Sequence, residues 1–138
     1  LKALFFLYEG YVDWEISPLS CMLNVCDVEI DTAALNEEVT HEGKFKVKVD
    51  LNIEACNPSN YNILIIPGGE PAPFDKDERL LTLIRGFDKQ GKWIAAICGG
   101  PHSWRRLAFC AKESIQHNDR VSQSFWLTFF ICEINDVP

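Results

Sequence analysis

Cys98 closes the apolar run WIAAIC and is followed at once by Gly99, Gly100 and Pro101. Punctuation that dense marks a special turn. A thiol on a tight strand-to-helix corner is held clear of its sheet, and the glycines leave room for a reacting carbonyl. A helix that follows would point its positive end at the sulfur and favour the thiolate, which is the nucleophilic form. Two further features fall where the strands of an open α/β sheet end and ligands gather. Glu15 comes shortly after the first apolar run and could hydrogen-bond the sulfur or shuttle a proton. Gly68 and Gly69 end another run, and their amides, with that of Gly99, could donate to an oxyanion. Taken singly, each has an ordinary reading. A strand-end cysteine packs a core, Pro-Gly-Gly makes a turn, and an acid in a first helical turn complements the helix dipole. Their convergence at one end of a sheet is what argues for chemistry.

The elements that must position these groups follow from periodicity. KALFFLY (2–8) is continuous and apolar, as a strand buried on both faces must be, and Gly10 stops it. DWEISPLSCMLN (13–24) has helical spacing at Ile16, Leu19 and Leu23, with Asp13 as the expected N-cap and Pro18 expected to bend the helix or delay its start. DVEIDTAAL (27–35) is a second strand. KFKVKVD (44–50) alternates strictly and predicts a peripheral strand or hairpin arm with one wet face. YNILIIPGG (61–69) and KWIAAIC (92–98) are further core strands. Between them DKDERLLTLIRGFDKQG (75–91) is a helix, with Asp75 and Glu78 at capping-box spacing, a stripe of Leu80, Leu81, Ile84 and Phe87, and Gly91 as its stop. Strands alternating with helices predict a parallel α/β sheet covered on both faces.

Composition limits the possible functions. The 138 residues suffice for one domain, with 47% hydrophobic and 24% charged residues. A formal net charge of −7 disfavours nucleic acid, which needs a basic face. Lys44, Lys46 and Lys48 read as a solvated strand face rather than a phosphate site. LKALFFLY at the start has neither a cationic leader nor a small-residue cleavage site, and is far short of the ~20 apolar residues that cross a bilayer. The six cysteines form no CxxC and no zinc-like spacing with histidine, so reduced thiols in a cytoplasm are expected. No metal or organic cofactor is required by the chemistry above.

ALFFLYEGYVDWE, YNILIIPGGE and WIAAICGGP, in that order, resemble the ThiJ/PfpI superfamily, relatives of class I glutamine amidotransferase domains. The resemblance covers residues 1 to about 101. It implies a flavodoxin-like three-layer sandwich with a mostly parallel central sheet, a nucleophilic Cys98, a carboxylic acid at Glu15 touching that sulfur, oxyanion donors at Gly69 and Gly99, and often a homodimer. The activities it implies are peptidase or amidase work, glyoxalase or deglycase-like work on α-oxoaldehydes, chaperone-like roles and oxidation sensing. The expected partner is thus a small-molecule or peptide substrate, not nucleic acid or membrane. Where some members have a histidine directly after the cysteine, Gly99 stands here.

Beyond residue 101 the likeness stops, so the single domain divides into a family-like part, 1–101, and a divergent tail, 102–138. HSWRRLAFCAKESIQH replaces the family's GPxxLAxAGLL-type helix. Shifting the reading frame from the third base of the His102 codon permits a peptide of the family's kind. The single Trp104 codon forces a G that, with CG from Arg105, encodes alanine. A frameshift near 101–102 is therefore expected, and His102 and His117 are left out of the candidate site. The rival is a divergent helix with Trp104, Leu107, Ala108 and Ala111 on one face. The last stretch, SFWLTFFICEINDVP, could form a strand but lacks an evident partner.

Overall fold

The computed structural model describes residues 1–70 and 76–97, and the backbone of 129–132. β1 (Lys2–Phe6) is the spine of the sheet: Ala3, Leu4, Phe5 and Phe6 are all buried, so neither face of the strand meets water. β2 (Glu29–Ala34) and β6 (Ile63–Ile66) flank it in parallel, with Leu4 opposite Asp31 on one side and Leu64 on the other. β5 (Leu51–Asn52) extends the sheet beyond β2, and β7 (Trp93–Ile97) beyond β6, again in parallel. β8 (Phe129–Cys132) closes that edge antiparallel to β7, with Ile97 opposite Phe129. The sheet order is therefore β5-β2-β1-β6-β7-β8. The closing apolar stretch thus has a strand partner that its sequence alone does not identify.

α1 (Asp13–Val25) links β1 to β2, and α2 (Glu78–Lys89) lies between β6 and β7. The two crossovers run in opposite directions along the sheet. Right-handed connection therefore puts the helices on opposite faces and gives the three-layer α/β sandwich. The fully buried Phe5, Phe6, Leu64, Ile65, Leu80 and Phe87 form its core, each worth about 1.5–3 kcal/mol in transfer from water. Phe87 stacks on Tyr61 at 6.3 Å between ring centres, tying α2 to the sheet.

The caps differ from expectation. Val12, not Asp13, occupies the N-cap of α1, and no side chain bonds there. Asp13 lies inside the first turn, where its charge complements the dipole, and its Oδ1 is 3.5 Å from His41 Nδ1. The helix runs through Pro18 with no delayed start. α2 begins at Glu78, capped by Asp77, whose Oδ1 accepts the Arg79 N–H at 2.9 Å. The expected cap, Asp75, lies outside the described residues. The stop at Gly91 follows from geometry: φ is +60°, the Gly91 N–H reaches Asp88 O at 2.8 Å, and the Lys92 N–H reaches Phe87 O at 3.0 Å. These are the paired bonds of a Schellman motif. α1 ends in the same way, with Asp27 in the left-handed position at φ 55°.

Asp77→Ala should cost about 1 kcal/mol, the usual loss of an N-cap. The Arg79 side chain beside Asp77 holds its carboxyl below the usual aspartate range, aided by the Arg79 backbone N–H. A carboxyl lowered in the folded state stabilises above its unfolded value, and that contribution fades as pH falls through the folded value. Thermal melts of wild type and Asp77→Ala should therefore differ at neutral pH and converge in acid. A constant gap at every pH would contradict this.

The alternating segment around Lys46 is a hairpin arm, as its pattern predicts. β3 (Glu38–Thr40) pairs antiparallel with β4 (Lys46–Lys48) apart from the main sheet. This hairpin braces the segment between β1 and α1. The Gly10 N–H donates to Thr40 O at 2.7 Å, the Glu42 N–H to Tyr11 O at 2.9 Å, and the Thr40 N–H to Glu9 Oε2 at 2.9 Å.

Candidate functional site

β2 and β6 lie on either side of β1, so the chain changes direction of crossover between β1 and β6. At such a switch point the loops leaving the carboxyl ends of adjacent parallel strands are the usual place for a ligand site. One is the 7–12 segment leading into α1; the other is Pro67-Gly68-Gly69. Glu15 stands in the first turn of α1 and is only 3% exposed. Its Oε2 accepts the Gly68 N–H at 2.7 Å, a bond spanning 53 residues of sequence. Two of the predicted site residues are thereby brought together. The contact also corrects one expectation: the Gly68 amide is engaged by Glu15, so it is not a free donor for an oxyanion.

Gly69 is required by its surroundings. Its φ is +137°, and a Cβ there would lie 2.8 Å from Gly10 O, 2.9 Å from Tyr8 Oη and 3.1 Å from Tyr11 Cα. The turn is held from the first loop by two more bonds. Tyr8 Oη donates to Pro67 O at 2.9 Å, and the Val12 N–H donates to Gly68 O at 2.9 Å.

β7 runs parallel beside β6, with Ala96 opposite Ile66, and Cys98 is the residue after its last member, Ile97. Cys98 and Gly99 themselves lie outside the described residues, as do His102, His117 and the tail apart from the backbone of β8. Among the described cysteines, Cys21 and Cys26 are exposed free thiols on α1 and at its end. Cys56 is also free, but burial, with the charge of Asp31, pushes its thiol up to about 11, which makes it a poor nucleophile at neutral pH. Among the described residues, no group of three His, Cys, Asp or Glu is placed to hold a metal ion, and no helix is long and apolar enough to cross a membrane.

Two buried groups near these loops were not singled out by sequence. His41, 6% exposed, packs against the rings of Tyr11 and Phe45 at 5.9 and 5.3 Å. Its Nδ1 accepts the Gly43 N–H at 3.0 Å and lies 3.5 Å from Asp13 Oδ1. A histidine two residues before a hairpin glycine was the available signal. Tyr8 ends an apolar run, where a phenol looks in sequence like any other aromatic.

A family model described as "DJ-1/PfpI family" matches residues 1–108. A Bacillus subtilis protein named as an uncharacterized protease, YdeA, is 33% identical over 125 residues, which are 90% of this chain and 59% of that protein. Deglycase PfpI of Pyrococcus furiosus is 34% identical over 64 residues, 46% of this chain and 39% of that protein. The chain thus spans less than two thirds of the length of these curated relatives. Among solved structures, oxidized DJ-1 of Toxoplasma gondii superposes with a TM-score of 0.70 at 26% identity, covering 78% of this chain and 61% of that one.

Proposed function

Because the chain belongs to the DJ-1/PfpI family, we propose that it supplies the core of a cysteine-nucleophile site acting on an electrophilic carbonyl, as a hydrolase or amidase or as a glyoxalase or deglycase-like enzyme. The observation that carries the reading is the buried Glu15 carboxyl fixed to the Gly68 amide at the switch point of the sheet. A carboxyl is costly to bury and is kept where it has a task or a partner. One oxygen is bonded to Gly68, and the other is the group we assign to the Cys98 sulfur.

In the hydrolase version the Cys98 thiolate attacks the amide carbon, and the π pair moves onto the oxygen. Amides at Gly69 and Gly99 steady that oxyanion. Collapse expels the amine with a proton relayed by Glu15, and water then releases the acid from the thioester. In the aldehyde version the same attack gives a hemithioacetal, and Glu15 moves the protons. The relatives named protease and deglycase support both versions, without choosing between them. The family likeness also supports a homodimer, while the reducing, cytoplasmic setting rests on the cysteine pattern alone.

A second reading uses the same thiol without turnover. Cys98 would oxidise to sulfenic and then sulfinic acid as a stress sensor. That the Toxoplasma gondii relative was solved in a form named oxidized favours keeping it. Assays of methylglyoxal, small amides and peptides with wild type and Cys98→Ser test the choice. Turnover that disappears in Cys98→Ser supports the enzyme. Absence of turnover, with peroxide modification confined to Cys98, supports the sensor. Turnover that survives Cys98→Ser removes Cys98 as the nucleophile.

A further inference from the structure

The Pro67–Gly68 peptide is pulled from both sides. Its carbonyl accepts from Tyr8 Oη at 2.9 Å, and its N–H donates to Glu15 Oε2 at 2.7 Å. No peptide among the described residues is cis. A trans peptide points its C=O and N–H in opposite directions, so fixing one end aims the other. The next peptide is fixed likewise: its Gly68 carbonyl accepts from the Val12 N–H at 2.9 Å, which turns the Gly69 N–H away from Val12. Tyr8 is 3% exposed, and its hydroxyl lies within 2.9 Å of where a Gly69 Cβ would stand. The phenol therefore occupies the space under the turn as well as bonding to it.

We infer that the Tyr8 hydroxyl is a positioning residue: by orienting the Pro67–Gly68 peptide it aims the N–H that holds Glu15. Without that donor the peptide can rock about its flanking bonds, and the Glu15 carboxyl loses its fixed direction. This rests on the reading of Glu15 as a working acid, but the geometry can be tested apart from activity. A net hydrogen bond is worth roughly 0.5–1.5 kcal/mol, so the effects below are modest by design.

Tyr8→Phe removes only the hydroxyl. The Gly68 amide, followed by NMR, should shift and exchange with solvent about three- to tenfold faster. In the active protein kcat should fall about three- to tenfold with KM little changed, the split expected when a hydroxyl acts by orienting Glu15 rather than by binding substrate. Tyr61→Phe is the control. It removes another buried phenol hydroxyl, bonded to Asp31 at 2.7 Å, and should destabilise the fold without moving the Gly68 amide or kcat. The inference is overturned if Tyr8→Phe leaves Gly68 exchange at its wild-type rate, or if Tyr61→Phe gives the same changes. It is also overturned if the Gly68 amide of the wild type is unprotected, a result that needs no variant to fold. A wild type without turnover would count against the enzyme reading alone, and Gly68 exchange would still decide the role of Tyr8.

Discussion

Serine in place of Cys98 is expected to lower turnover at least about a thousandfold while the protein stays folded. The magnitude follows from the nucleophile. At neutral pH an activated cysteine supplies thiolate, whereas a serine hydroxyl needs a strong base to take its proton. Among the described residues, the group assigned beside residue 98 is a carboxyl, which is a weak base for an alcohol. A thousandfold loss corresponds to about 4 kcal/mol of transition-state stabilisation. The measurement is kcat/KM on the substrate that wild type turns over, with a thermal melt alongside. Serine is close to cysteine in shape, so a melt within about 1 °C of wild type is expected, and any loss of rate is then chemical.

Alanine in place of Gly69 should have the largest effect on the fold of the site. At φ +137° an L side chain is strained wherever it points, and the added carbon would lie 2.8 Å from Gly10 O and 3.1 Å from Tyr11 Cα. Both are backbone atoms, and their loop cannot easily retreat. The Gly10 N–H is bonded to Thr40 O at 2.7 Å, and the Val12 N–H to Gly68 O at 2.9 Å. Overpacking and backbone strain together should cost about 3 kcal/mol or more, seen as a drop of roughly 10 °C in Tm. Protein that still folds should have lost the Gly68 to Glu15 bond, and with it most activity. An unchanged Tm would mean that the loop yields and the packing described here is not rigid.

How much of this the sequence discloses depends on the range of the interaction. The parallel strands at 2–6 and 63–66 are legible because burial on both faces demands unbroken apolar runs, the strand at 93–97 because its run is apolar although Trp93 is exposed, and the helices between them because their apolar residues recur at helical spacing. Glu15 and Gly69 are legible as positions, since a strand stop followed by an acid, and Pro-Gly-Gly after a strand, are local patterns. The bond between Glu15 and Gly68 is not, because it joins segments 53 residues apart. The same limit applies to Tyr8, whose partner Pro67 is 59 residues away. Asp13 and Asp77 illustrate a subtler limit. An acid near a helix start can cap it or sit in its first turn, and contacts such as that between Asp13 and His41 form only once the hairpin has folded over the loop. β3 and β5 are three and two residues long, too short to show any period.

The proposed chemistry requires the Cys98 sulfur and the Glu15 carboxyl to share one site. Its most direct test is the ultraviolet absorbance of the Cys98 thiolate against pH, taken as the difference between wild type and Cys98→Ser and repeated in the Glu15→Gln background. With the two groups in one site, the curve is expected to be displaced when the carboxyl becomes an amide. Superimposable curves in the ordinary thiol range, with and without the acid, would mean that the two groups stand apart and that the proposed chemistry has no site.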